Sequence, residues 1–409
     1  MEEVLYKLPD GWEWHKLKEL TTKIGSGATP KGGEKAYKSS GISLIRSLNV
    51  HDCFFKEEKL AFIDDEQANG LKNVVVESGD VLLNITGASI ARCCIVPNEF
   101  LPARVNQHVT IIRPTEYVDS KFLNYLIVNP KFKSQLLWQG AGGATRQALT
   151  KAMVEELNIP IPSLPEQKRI VEKLDALLSR IDTAIEHLQE SVTLADALSK
   201  NGLSEIFESL KDSYAVVPLS SVVKINSGIA LPKLFKNGFS DGDIPFFKVA
   251  QMNNHHENMV EPEITFSEII AKEHKIKLFP KGSTLIPKRG GAILTNKKRM
   301  LLEDASYDSN IMGLKANEAT ISDDYLFAFM RTIDLANFVD ASTIPQVNNK
   351  HIVQMQIPLA STEKQANVVS RVNLLVKKVE TMNSEIQRQL NDLQALKSSI
   401  LDSAFKGAL

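Results

Sequence analysis

The chain has 409 residues, 43% of them hydrophobic and 24% charged, with a formal net charge of −1. That length suits two to four domains with real cores, and the near-zero charge excludes a general electrostatic field for nucleic acid. No apolar run reaches the roughly 18 residues of a membrane span, and the opening MEEVLYKLPDGWEW lacks the form of a signal peptide. Cys53, Cys93 and Cys94 lack C-x-x-C spacing and cannot all pair, which fits reduced thiols. A cytoplasmic protein with no membrane partner is therefore expected.

Residues 1–162 read as a mixed, strand-rich domain. Ile42–Arg46 is a strand-like run closing on a cation, and Gly79-Asp80 turns into the buried-looking strand Val81-Leu82-Leu83. A second glycine turn follows at Gly87–Ile90, with Arg92 just beyond it. Asp119-Ser120 opens a helix through Phe122, Leu123 and Leu126. Ile159-Pro160-Ile161 is a last short strand.

Residues 163–210 read as one long helix. Val171, Leu174, Leu178, Ile181, Ile185, Leu188, Val192 and Ala195 fall in alternating steps of three and four, an unbroken heptad seam. Ser163 with Glu166 makes a capping box, and Pro165 sits where a missing N–H costs nothing. Asn201-Gly202 is a candidate break near the end.

The pattern then repeats. Residues 211–360 echo the first domain at Lys224–Gly228, Ile244–Lys248, Gly282–Ile286, Gly290–Ile293 and the helix start Ser322–Asp324. Ser309-Asn310-Ile311 falls where the first domain has Asn106-Gln107-His108. Residues 361–409 repeat the helix with seam positions Val369, Val372, Val376, Val379, Asn383, Ile386, Leu390 and Leu393, and Gln365 and Phe405 match Gln167 and Phe207. The first helix carries nine acidic and five basic residues, the second five and seven, so opposite charge favours their pairing. The expected fold is α+β: two tandem mixed domains joined by two long helices paired as an antiparallel coiled coil, with an overall pseudo-two-fold. Antiparallel pairing would set Asn383 against Ile181 or Ile185. Helices of about 40 residues make rods of roughly 60 Å, longer than the ~34 Å turn of duplex DNA, so two half-sites would flank an unread spacer.

Catalytic motifs are missing. Gly25-x-Gly27 lacks the third glycine of a dinucleotide or methyl-donor loop, no P-loop occurs, and Asn129-Pro130 runs on to Lys131 rather than to the motif of amino-methylating enzymes. Asp52 with Glu57-x-Lys59 is only a loose nuclease string, and His255-His256-Glu257 reads as a polar loop, so no metal or catalytic residue is expected.

With these residues in view, the chain resembles the specificity subunit of a type I restriction–modification system along essentially its whole length. The similar features are Leu8–Trp14 at the opening, Leu164–Val171 at the start of the central helix, Asn106-Gln107-His108 with Ile111–Pro114, and Ser399–Gly407 at the close. The resemblance implies two target-recognition domains reading a bipartite double-stranded DNA site. It also implies helices that act as a ruler and dock two methylation subunits, with restriction subunits joining through them. S-adenosylmethionine, ATP and Mg would then belong to those other subunits, and the chain itself would be non-catalytic. Divergence between the two domains is what an asymmetric target requires.

The expected DNA contacts are Lys288, Arg289, Lys297, Lys298 and Arg299 in the second domain, where Gly290-Gly291 lets phosphate approach. In the first domain they are Arg92, Lys31 in the loop Ser26–Gly33, and Arg146 and Gln147, the last suited to adenine. Gln346 is the matching residue of the second domain. Arg46 and Lys248 are also candidates, although either could pair with a carboxylate instead. The heptad residues are the expected seam and docking surface. Two other readings compete with the DNA reader: a coiled-coil scaffold that binds only protein, and an enzyme with a diverged site. Without its partners such a chain is expected to be poorly soluble.

Overall fold

The computed structural model describes residues 7–30, 32–140, 148–232, 235, 239–255, 257–339 and 345–409. The chain divides into two compact units, the first formed by Met1–Leu188 with Arg388–Leu409, the second by Gln189–Gln387. The division falls inside both long helices, which run Leu164–Lys211 and Thr362–Ala404. Each helix therefore contributes one end to each unit, where the sequence set the helices apart as segments of their own.

In the first unit a four-stranded antiparallel sheet takes the order Thr21–Ser26, Val109–Pro114, Val81–Asn84, Cys93–Ile95. Strand Val81–Asn84 is buried along its whole length because both faces of the sheet are covered. Leu82, Cys94 and Ile111 join Leu44, Ile45 and Val105 in one core. Those last three come from a second sheet ordered Ala61–Ile63, Ile42–Ile45, Ala103–Val105, Val75–Val76. On the other face Val81, Leu83, Cys93 and Ile112 pack with Phe122, Leu126 and the long-helix residues Leu174, Leu178 and Leu401. The two-residue alternation of a strand thus feeds two cores at once.

The second unit repeats the plan. Its main sheet runs Val223–Ser227, Ile311–Ala316, Thr284–Pro287, Arg299–Leu301, Asn258–Met259, and its second sheet runs Phe239–Asp241, Ile264–Phe266, Ile244–Phe247, Ser306–Tyr307. Leu285 and Ile311 point to one core, while Ile286, Met312 and Leu314 pack with Tyr325, Phe329, Leu203, Phe207 and Val372. The short strand before each long helix is also paired: Asn158–Ile161 with Glu13–Lys16, and Gln356–Pro358 with Val216–Pro218.

A buried glutamine ties each long helix to its domain. The Gln167 Nε2 donates to the carbonyls of Tyr117 (3.0 Å) and Pro162 (2.9 Å), and its Oε1 accepts from the Asp119 backbone N–H at 2.8 Å. Gln365 does the same with Thr320 (3.0 Å), Ala360 (2.9 Å) and the Ser322 N–H (2.9 Å). Asp119 and Ser322 are themselves the caps of helices Ser120–Val128 and Asp323–Thr332, accepting from the Phe122 and Tyr325 N–H groups. The match of Gln167 to Gln365 in the sequence is therefore a structural lock used twice.

The other end of each helix docks by an aromatic ring. Phe405 meets Phe122 at 5.2 Å between ring centroids, and Phe207 meets Tyr325 and Phe329, each at 5.4 Å. Within the first unit the start of one long helix and the end of the other run antiparallel, as Arg169 donating to the Leu409 carbonyl (2.7 Å) and Lys397 paired with Asp182 (2.6 Å) require. Within the second unit Asn383 donates to Asp196 at 3.1 Å. Its expected partners were Ile181 or Ile185. The register is set instead at the helix ends, by the glutamine lock and the aromatic plug, and the polar residue follows. Gly202 does not break the first helix. A Cβ there would come within 2.9 Å of Leu375, so the missing side chain admits a close helix contact.

The seam residues Val171, Leu174, Leu178, Ile181, Val372, Ile386 and Leu390 are buried, and Ile185, Leu188, Val192, Val369, Val376, Val379 and Leu393 are half-buried. Replacing Gln167 by Ala leaves the buried Pro162 carbonyl, with the part-buried Asp119 N–H and Tyr117 carbonyl, without this partner. Denaturant unfolding should show a loss of about 2–4 kcal/mol, since each orphaned buried group costs about 1–3 kcal/mol. Gln365→Ala should behave alike, and a loss under about 0.5 kcal/mol would contradict the lock.

Candidate nucleic-acid interface

Each main sheet ends in loops built on the same backbone. After strand Val81–Asn84 the chain passes Ile85 and Thr86 to Gly87, and after Thr284–Pro287 it passes Lys288 and Arg289 to Gly290. Both glycines have φ of +73°, left-handed geometry that favours glycine. Thr86 and Arg289 share extended dihedrals, and each bridges a later segment, Thr86 to Ala148 and Arg289 to Gln346. A third loop crosses beside them. Asn106 accepts from the His108 N–H at 3.0 Å, and Asp308 accepts from the Asn310 N–H at 2.7 Å. Carbonyls of His108 and Asn310 then receive the N–H groups of Ile85 (3.0 Å) and Lys288 (2.6 Å). These bonds align Asn106-Gln107-His108 with Asp308-Ser309-Asn310, one residue earlier than the sequence comparison placed it. Gly27 and Gly228 complete the crossings, since a Cβ would strike the Val105 carbonyl at 1.6 Å or the Asp308 carbonyl at 1.9 Å.

On this shared frame the side chains differ. In the first unit the Thr29 hydroxyl donates to Gln107 Oε1, Gln107 Nε2 lies 3.0 Å from His108 Nε2, and His108 Nδ1 lies 2.6 Å from Thr86 Oγ1. Such a chain is consistent when the imidazole carries its proton on Nδ1, an assignment made from the network. In the second unit Lys288 Nζ donates to Ser227 Oγ at 3.0 Å, and Arg289 is exposed with no side-chain partner among the described residues. Arg92 is half-buried and likewise unpaired among the described residues. Thr86, Gln107 and His108 were not singled out as contacts; their signal is position, beside the glycines that the crossing needs.

The other expected cations are disposed otherwise. Arg46 is mostly buried: it pairs with Glu34 at 3.2 Å, donates to the Lys59 carbonyl at 2.6 Å and stacks over Tyr37 at 5.2 Å. Lys248 pairs with Glu263 at 2.8 Å. Both thus follow the alternative of carboxylate pairing. Lys297 bonds Asn253, while Lys298 and Arg299 are 6% and 5% exposed, at the start of an inner strand of the main sheet rather than in a solvated loop. Lys31, Arg146 and Gln147 lie outside the described residues. Among the described residues no cluster of three His, Cys, Asp or Glu groups is arranged to hold a metal, and no helix is long and apolar enough to cross a membrane.

With the geometry in place, the comparisons define a class. The family model for the type I restriction modification DNA specificity domain matches twice, over residues 9–194 and 211–392, so the chain belongs to that family. The chain is similar to the type I restriction enzyme EcoKI specificity subunit of Escherichia coli K12, 23% identical over 98% of this chain and 90% of the relative. It is also similar to the MjaIX specificity subunit of Methanocaldococcus jannaschii, 21% identical over 98% and 94%. Among solved structures it shares its fold with a chain of a type I R-M system (TM-score 0.77, 20% identity, covering 99% and 100%). The HsdS subunit from Thermoanaerobacter tengcongensis is another (TM-score 0.58, 20% identity, covering 100% of both). The duplicated α+β fold and the role of a non-catalytic, DNA-reading specificity subunit stand on this membership.

Burial pushes the Lys298 ammonium down to about 7, against the opposing pull of Asp334. The unfolded chain keeps that proton to its ordinary, higher value, so this group's contribution to stability rises with pH above about 7. Between pH 7 and 9 the wild type should gain about 1 kcal/mol or more relative to Lys298→Met, read by denaturant unfolding. Parallel curves would contradict the buried placement.

Proposed function

We propose that the two loop frames read the two halves of an asymmetric, bipartite double-stranded DNA target. The observation that supports this most is one backbone frame carried twice with different side chains on it. Thr86, Gln107 and His108, with Arg92, face one half-site, and Lys288, Arg289 and Gln346 face the other. Lys31, Arg146 and Gln147 extend the first set. A neutral amide and imidazole suit base edges, while an unpaired Arg forks onto guanine or neutralises phosphate. Lys297 is retained as a phosphate contact, and Arg46, Lys248, Lys298 and Arg299 act behind the surface as supports.

The long helices dock the other subunits of the complex. Their heptad residues are buried or half-buried, several of them against the domains, yet Leu194, Leu198, Leu374 and Met382 leave apolar side chains exposed in the second unit, as Leu396 does in the first. A partner surface fits such residues better than water does. Two methylation subunits, with restriction subunits joining through them, are the partners in this reading; S-adenosylmethionine, ATP and Mg are used by those subunits. The complex works in the cytoplasm.

Duplex binding by the assembled complex tests the reading. Arg289→Ala should weaken binding roughly five- to hundredfold and relax base preference in one half-site only, and Arg92→Ala should affect only the other. A cation that meets phosphate alone would lower the salt slope by about one without altering preference. Substitutions that change neither affinity nor preference would favour a scaffold that binds only protein.

A further inference from the structure

The glycine loops of the two units match closely except at one place. Gly87–Ile90 corresponds to Gly290–Ile293, and each run closes on an isoleucine buried in its own core. Ala91 and Asn296 then correspond as residues in the left-handed region, with φ of +64° and +52°. Each stands three positions before the strand residue opposite Leu82 or Leu285, which is Cys94 in one unit and Arg299 in the other. Ile90 runs straight on to Ala91, whereas Leu294 and Thr295 stand between Ile293 and Asn296. The second unit therefore carries a two-residue insertion in the loop that presents Arg289.

The insertion lengthens a three-residue 3-10 helix, Gly87–Ser89, to the six residues Gly290–Thr295. Runs longer than three or four residues are uncommon in that geometry, and this one is pinned at both ends. The Gly290 N–H donates to the Pro345 carbonyl at 2.9 Å, and the Asn296 N–H to the Ile293 carbonyl at 2.9 Å. Asn296 Oδ1 accepts from the Leu335 N–H at 2.9 Å and from Lys298 Nζ at 2.7 Å. Ile293 is fully buried, while Leu294 beside it is 67% exposed. Thr295 is exposed too, but its hydroxyl donates within the turn, to the Ala292 carbonyl at 2.6 Å. A single exposed leucine is ordinary on a protein surface. This one is added by insertion, on a held turn, and the first unit builds the same loop without it.

We propose that Leu294 reads a thymine in the half-site of the second frame, packing on its C5-methyl group in the major groove. The inference rests on the reading that this frame faces DNA. The thymine methyl is the apolar group that a base pair displays in that groove, so a side chain without hydrogen bonds can still single out a T·A pair. At about 2.0 Å of rise per residue, Leu294 lies roughly 10 Å along the turn from Arg289, or about three base-pair steps. Arg289 then supplies the polar contact of the half-site and Leu294 the apolar one.

The test is binding of the assembled complex to two target duplexes that differ only in uracil replacing every thymine of that half-site. Uracil lacks the C5-methyl group and keeps every hydrogen-bonding atom. The wild type should bind the uracil duplex about fourfold more weakly, the worth of one methyl group taken from water. Leu294→Ala should lose affinity only for the thymine duplex and bind the two alike. Deleting Leu294 with Thr295, which restores the loop length of the first unit, should do the same. Arg289→Ala should weaken both duplexes and keep the difference between them. A wild type indifferent to the exchange, a methyl preference that survives Leu294→Ala, or a half-site with no thymine on either strand would overturn the contact. Equal weakening of both duplexes by Leu294→Ala would mean a wedge between bases and would overturn it too. Indifference to Arg289 as well as Leu294 would sink the DNA reading itself, which separates the two failures.

Discussion

Everything else in the fold hangs on a buried primary amide. Gln167 and Gln365 each satisfy three backbone groups where a strand, a helix cap and a long helix converge. Neither amide has water to fall back on, since Gln167 is fully buried and Gln365 nearly so. Once this corner is fixed, the start of the long helix is held against its own domain. Phe207 and Phe405 complete the arrangement, each plugging the domain whose glutamine belongs to the other helix. Neither unit is complete with one helix, which gives a physical reason for both helices to have the same pattern.

Much of this was visible in the chain. A 3.5-residue period cannot hide in a helix, and a repeat offset of 198 residues exposes any side chain used twice for the same purpose. The glutamines, the phenylalanines and the glycine turns were found for that reason. The misplacements have a common cause, which is that strand registers and ends are invisible in one sequence. Lys297-Lys298-Arg299 reads as a basic loop, yet Arg299 begins a strand and its neighbour turns into the interior. Asn383 was assigned a partner from helix periodicity alone, although helix ends set the register. The third loop was misaligned by one residue because its hydrogen bonds, rather than its letters, are repeated.

Divergence on a repeated frame separates what folding needs from what recognition needs. Positions that keep their type, such as Gln167 and Gln365 or Gly87 and Gly290, hold the frame. Thr86 against Arg289 and His108 against Asn310 change polarity or charge while the backbone around them stays the same. The strand position opposite Leu82 or Leu285 behaves in the same way, with the thiol of Cys94 in one unit and the cation of Arg299 in the other. Charge on this chain is thus placed locally, which is why a net charge of −1 is compatible with reading DNA.

The most direct measurement is a genome-wide methylation map of cells expressing this chain with its methylation subunit, before and after residues 211–360 are exchanged for those of a relative. The exchange keeps both long helices and the first frame intact. A bipartite motif in which one half changes while the other half and the spacer persist is the predicted result. A map in which both halves change together, or neither does, would contradict the assignment of one half-site to each frame.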